Sequence, residues 1–276
     1  MENKIVYFIL SRRDIRFSRL IYKTCSFLGI LLLQSVLFFA TYVYTFYIWM
    51  SKIGVWLLLQ AYFVHCFCHL RDVFLTALIM NIAIAFKNRY EDLNKLLDFD
   101  LIAASHGVKI FNRNSITFFR KIGTLSRILS EMIESFNQIF GWLLIFTIGK
   151  TVSQILVCFD FVIGDLQIDD DYFKQHAFIS KVLMAIITLV MKILIFVSAI
   201  LIMLSCDCAM KESGRTVCLC YKLQERFPHK SDERDEILNL AKQVKINSAK
   251  ITAADFFEIN KSTLLSILAT TTTYFI

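Results

Sequence analysis

Residues Phe27 to Trp49 read FLGILLLQSVLFFATYVYTFYIW, a run without a charged side chain. A helix needs roughly 20 apolar residues to cross a hydrocarbon core about 30 Å thick, so this run is long enough to span a membrane. Its far end is rich in Tyr and Trp, as an interfacial belt would be. The pattern then recurs. Val55 to Phe86 is a second span, interrupted by His65, His69, Arg71 and Asp72. Ile139 to Ile163 is a third, with Lys150, Ser153 and Gln154 in its middle, and Val182 to Ser205 a fourth, carrying only Lys192. Ionisable groups at such depth are costly unless they face a neighbour or water, so the second helix is expected to pack on one side inside a bundle. A fifth apolar stretch begins at Leu264 and stops with the sequence at Ile276, half a crossing.

Composition supports the same class. Hydrophobic residues make up 57% of the 276, and there is one Pro and only eight Gly. With a mean hydropathy of +0.58, this is the profile of an all-α, multi-pass transmembrane helix bundle. The net charge of +7 does not point to nucleic acid, because the Lys and Arg are scattered between apolar segments instead of forming one stripe. They act as topology signals. Lys4, Arg12, Arg13, Arg16, Arg19 and Lys23 precede the first span; Lys87, Arg89, Lys95, Lys109, Arg113, Arg120, Lys121 and Arg127 separate the second from the third. Between the third and fourth lies GDLQIDDDYFKQ, dominated by Asp165, Asp169, Asp170 and Asp171. Lys and Arg mark cytoplasmic loops, so the amino terminus is expected inside, and both the turn Met50 to Gly54 and the aspartate loop outside. The start, MENKIVYFILSRR, has too short an apolar stretch for a signal peptide and lacks a cleavage site, so the chain is expected to begin in the cytosol.

The segments between spans carry helical patterns of their own. AFKNRYEDLNKLLDF continues the periodicity of the second span through Tyr90, Leu93, Leu96 and Leu97. FFRKIGTLSRILSEMIESFNQIF puts Ile122, Leu125, Ile128, Leu129, Met132, Ile133 and Phe136 on one face leading into the third. SDERDEILNLAKQVKINS has Ser231 as an N-cap, acids in its first turn, lysines in its last, and Ile237, Leu240, Ala241 and Val244 on one side. Long helices are therefore expected to project into the cytosol. Only His106 to Asn114 and Phe227 to Ser231 read as loops.

Chemistry-bearing motifs are few. HCFCH sets His65 and His69 at i and i+4, a spacing that can hold zinc, but neither a glutamate nor a third ligand accompanies them; hydrogen bonding or a polar cavity is the better reading, and no metal is expected. The eight cysteines include no CxxC and fall mostly in or beside apolar segments. There they behave as small reduced hydrophobes, with palmitoylation of the CDC and CLC pairs (Cys206, Cys208, Cys218, Cys220) as the lesser alternative. Asn260-Lys261-Ser262 is a glycosylation sequon, expected unmodified on the cytosolic side. No nucleophile with a positioned base, phosphate loop or carboxylate pair emerges, so neither enzymatic activity nor a cofactor is expected.

The final stretch, ADFFEINKSTLLSILATTTTYFI (Ala254 to Ile276), resembles the carboxyl-terminal signature of insect gustatory receptors: a Phe-rich turn with an Asn, a short apolar helix and a Thr-Tyr pair. Phe257 and Asn260 match its beginning, Thr273 and Tyr274 the pair; the Gln-Phe that closes the signature is missing. RYEDLNKLL (Arg89 to Leu97) and the helix from Thr124 to Trp142 resemble two further family segments. The resemblance implies a subunit of a tastant-gated, non-selective cation channel in the plasma membrane of taste neurons, assembled as a homo- or hetero-tetramer, with the last helix lining the pore. On it, the chain is a single partial receptor domain, 1–276, lacking the first two helices and the end of the seventh, and is expected to conduct nothing alone. Thr270, Thr273 and Tyr274 are the expected pore-lining residues, since Thr hydroxyls bond back to the preceding turn while still presenting oxygen. The ligand pocket is expected from Trp56, Gln60, Tyr62, Gln154 and Lys192, aromatic walls with a few polar groups for a small tastant. The alternatives are an odorant-type receptor of the same superfamily, a fragment of a multi-pass transporter, or a partner that co-assembles with complete subunits.

Overall fold

The computed structural model describes residues 29–44, 46, 55–105, 114–165, 175–228, 231–248 and 250–273. These form α1 (Gly29–Tyr44), α2 (Val55–Ser105), α3 (Asn114–Asp165), α4 (Gln175–Gln224), α5 (Asp232–Ile246), β1 (Thr252–Ala253), β2 (Phe257–Glu258) and α6 (Lys261–Thr273). The basic amino-terminal segment, the turn Met50 to Gly54, the loop after Ser105, the aspartate run Asp169 to Asp171 and Tyr274 lie outside the described residues.

α2, α3 and α4 are 51, 52 and 50 residues long. At 1.5 Å per residue each measures about 75 Å, more than twice the hydrocarbon thickness. All three are long and apolar enough to cross a membrane, and α1 is a shorter apolar helix in its described part. Helix runs unbroken from Phe86 into Lys87 and from Phe119 through Ile163, so spans and projections are single elements, as the periodicity required.

The chain divides into two units: Met1–Ala77 with Val157–Ser198, and Leu78–Leu156 with Ala199–Ile276. α2, α3 and α4 each contribute residues to both. In the first unit, α1 meets α2 through stacked rings, described below. There the Arg71 guanidinium lies 2.9 Å from the carboxylate of Asp72, the next residue. Charge within the apolar helix is thus offset by an immediate neighbour.

The second unit holds a continuous apolar core. α2 supplies Ile79, Ala83, Phe86, Tyr90, Leu93 and Leu97, a 3–4 spacing that keeps one face inward. α5 forms as its sequence directs: Ser231 caps it, accepting from the Arg234 N–H at 3.3 Å, with acids in the first turn, Lys245 in the last, and Ile237, Leu240, Ala241 and Val244 buried. Two expectations need correction. Leu96 is 48% exposed and Asn94, at 1%, takes the buried place beside Leu93 and Leu97. On α3, Ile122, Leu129, Ile133 and Phe136 are buried, whereas Leu125, Ile128 and Met132 are exposed. The apolar surface of α3 is wider than the face this chain covers, so it splits into a buried stripe and an exposed one.

A buried polar layer crosses this core. Asn94 Nδ2 donates to the Glu212 carbonyl at 2.8 Å and to its carboxylate at 3.0 Å, and Asn94 Oδ1 accepts from the Thr216 hydroxyl at 2.7 Å. One turn earlier on α2, Tyr90 Oη lies beside the hydroxyls of Ser130 and Ser213 without completing a hydrogen bond to either. Exposed ion pairs join the same helices at the surface: Arg215 with Asp98 at 3.0 Å between α4 and α2, and Arg120 with Glu236 at 2.9 Å between α3 and α5. Such pairs contribute about 1 kcal/mol at most.

β1 and β2 pair antiparallel, Thr252 opposite Glu258 and Ala253 opposite Phe257. Phe256 N–H bonds to the Ala253 carbonyl at 3.0 Å, closing a turn whose central residues, Ala254 and Asp255, have φ of 45° and 61°. Positive φ at both central positions puts the pair in the left-handed region, which ordinarily takes Asn, Asp or Gly. Here neither residue is Gly, and each left-handed conformation costs roughly 1–2 kcal/mol. Asp255 recovers part by accepting from the Thr252 hydroxyl at 2.9 Å; Ala254 has no such means.

Candidate ligand and pore sites

In the first unit Gln34, Phe38 and Tyr42 of α1, with Phe46 just beyond it, recur at four-residue spacing and so share a face. Tyr62, His65 and His69, spaced three and four residues apart, share a face on α2. The two rows interlock. Phe38 stacks on His69 with centroids 3.8 Å apart and planes 7° from parallel, and on Tyr42 at 4.2 Å. Tyr42 meets Tyr62 edge-on at 4.8 Å and His65 at 6.0 Å, and Tyr62 meets Phe46 at 5.4 Å. Below the rings, the buried Ser198 hydroxyl donates to the Leu194 carbonyl at 2.9 Å and lies 3.4 Å from Oε1 of buried Gln34. The result is an aromatic wall ending in amide, hydroxyl and imidazole groups, the composition of a small-molecule site.

Of the five residues expected at a ligand pocket, Tyr62 is in this cluster. Trp56 and Gln60 are exposed on α2. Lys192 is half-buried on α4 and engaged in an interaction, as is exposed Lys150. Gln154 belongs to the second unit, its Oε1 enclosed without a hydrogen-bond partner. The stack of Phe38, Tyr42 and His69 was not singled out from sequence, although the i, i+4 histidines of HCFCH and the four-residue aromatic spacing carried its signal. Among the described residues no three of His, Cys, Asp and Glu gather as a metal site would require.

α6 opens at Asn260, whose Oδ1 accepts from the Thr263 N–H at 2.9 Å in an N-cap, while the Thr263 hydroxyl donates to the Glu258 carbonyl at 2.7 Å. Along the helix the hydroxyls turn inward on their own backbone. Thr270 donates to Ser266 O at 2.8 Å, Thr271 to Ile267 O at 2.7 Å, and Thr273 to Thr270 O at 2.8 Å. Each hydroxyl proton is thereby used, leaving an oxygen that accepts. Thr271 is buried, and Thr270 and Thr273 present their oxygens at the exposed surface of the chain.

A helical chain with three membrane-length helices and a capped, threonine-bearing terminal helix matches the family model described as 7tm chemosensory receptor, over residues 3–276. No curated protein sequence matches it. The family points to a receptor role instead of catalysis, and it sets the transporter alternative aside. This multi-pass membrane helix bundle belongs to the 7tm chemosensory receptor family.

Proposed function

We propose that the chain is a gustatory-type subunit of a tastant-gated cation channel in the plasma membrane, its amino terminus and basic segments facing the cytoplasm. The observation that carries the reading is the threonine row of α6, where Thr270 and Thr273 offer acceptor oxygens at the exposed surface of the helix, one turn beyond the apolar Leu264, Leu265 and Ile267. Repeated around a rotation axis, such oxygens form polar rings of the kind that cations need to shed water. Assembly with further subunits is supported by the exposed stripe of α3 ahead of its span, where Leu125, Ile128 and Met132 follow a 3–4 spacing outside the chain's own core. For the tastant, the reading takes the aromatic wall around Tyr62 and Tyr42, with Trp56, Gln60 and Lys192 of the same unit as rim groups.

The test is electrical. Cells expressing the chain with other subunits of its family are recorded under soluble tastants and under volatile odorants, with Thr273→Cys as a reporter. A cation current evoked by soluble compounds, and blocked by a charged thiol reagent only in the Thr273→Cys subunit, is expected. A current evoked by volatile compounds alone would assign the chain to the odorant type. A Thr273→Cys current indifferent to the reagent would remove α6 from the pore.

A further inference from the structure

The segment that joins α5 to α6 is fastened to α3 along one line. The Ser130 hydroxyl donates to the Asn247 carbonyl. Asn137 donates through Nδ2 to the Lys250 carbonyl at 2.7 Å and accepts through Oδ1 from the Thr252 N–H at 3.1 Å. That amide engages the backbone on either side of Ile251 much as an adjacent strand would. One turn further on, Gly141 touches the turn itself: a Cβ at this position would lie 2.6 Å from Ala254 N and 2.9 Å from its Cα. Those obstacles are backbone atoms, so only glycine admits this approach.

Beyond the turn the connection to α6 is short and bonded throughout. Ile259 N–H returns to the Ile251 carbonyl at 2.9 Å, Thr263 is tied to Glu258, and Asn260 caps the helix. Positive φ at two consecutive non-glycine residues persists only where the surroundings over-determine it. The surroundings here are α3.

From these contacts we infer that the hairpin Ile251 to Ile259 is a rigid coupler through which α3 sets the position of α6, with Asn137 and Gly141 as positioning residues. Moving α3 away from Ala254 removes what holds the left-handed turn, and the released hairpin no longer orients α6. The coupling stands on contacts within one unit; only its consequence for gating rests on α6 lining the pore.

The experiment is hydrogen exchange read by mass spectrometry on the full chain in lipid nanodiscs, for the parent, Gly141→Ala, Asn137→Ala and Asn137→Asp, with exposed Gln138→Ala as control. Gly141→Ala and Asn137→Ala are expected to speed exchange about tenfold both in residues 252–259 and in the first turns of α6, with α5 and α2 unchanged. Asn137→Asp keeps the acceptor for Thr252 and loses the donor to Lys250, so it gives a smaller rise. Faster exchange confined to the hairpin, or none in either segment, would overturn the coupling. Should Gly141→Ala fail to fold, the two Asn137 variants decide. Tastant dose–response curves on the same variants separate the two readings. A shifted midpoint supports both, whereas faster α6 exchange with an unmoved curve keeps the coupler and removes α6 from gating.

Discussion

Asn94 engages three groups from a buried position, two on Glu212 and one on Thr216. Asn94→Ala removes all three bonds from the interior, only partly offset by the Thr216 hydroxyl's second contact with the Glu212 carbonyl at 3.3 Å and by Arg215 near the Glu212 carboxylate, at a cost of about 1–3 kcal/mol, measured as a lower unfolding midpoint of the chain in detergent. A variant as stable as the parent would mean the layer is not closed. Tyr90 is the opposite case. Its hydroxyl is buried but unbonded, so Tyr90→Phe removes a desolvated group and breaks nothing; the variant should be at least as stable as the parent. A loss of more than about 1 kcal/mol would show that Ser130 or Ser213 holds the hydroxyl after all. The helical glycines make a similar contrast. A Cβ on Gly123 meets the exposed Gln243 amide at 2.8 Å, which can swing away, and buried Leu240 Cδ1 at 3.3 Å, which need give only a few tenths of an ångström, whereas at Gly141 the obstacle is backbone. Gly123→Ala should therefore cost under about 1 kcal/mol, and Gly141→Ala clearly more, in the same unfolding assay.

α4 passes alternately inward and outward through its cysteines: Cys206 and Cys220 are buried, Cys208 and Cys218 exposed. A maleimide applied to the folded chain should label Cys218 within minutes and leave Cys220 unmodified until denaturant is added, which peptide mapping would show. Equal labelling would mean that α4 is rotated about its axis. The sequence pair CLC alone could not say which thiol faces in. α5 was legible in full because its cap, its charges and its apolar face all sit in one short amphipathic segment with a single burial solution. α3 was legible as a helix but not in its facing, since its apolar surface is wide enough for two stripes and only packing decides which one α2, α4 and α5 cover. Leu96 and Asn94 show the same limit on α2: hydropathy places the leucine inside, and the hydrogen-bonding demand of Glu212 and Thr216 puts the asparagine there. The left-handed pair Ala254–Asp255 was only half legible, because Asp visits positive φ readily and Ala does not.

At the scale of the whole molecule, the account rests on apolar helices crossing a bilayer with their basic extensions on the cytoplasmic side. The spans and their continuity with the projecting helices were readable from hydropathy and periodicity, because lipid leaves the backbone no alternative to helix. What covers the exposed α3 stripe was not, since hydropathy does not tell a lipid-facing surface from a subunit-facing one. Charge asymmetry is the support for the proposed orientation: the segment between α2 and α3 is rich in Lys and Arg, and the one between α3 and α4 carries Asp169, Asp170 and Asp171. Epitope insertion tests it most directly, one tag after Asp170 and another after Gly107, each probed by antibody on intact and then on permeabilised cells. The Asp170 tag is expected to be stained on intact cells and the Gly107 tag only after permeabilisation; the reverse pattern would contradict the orientation and the channel reading built on it.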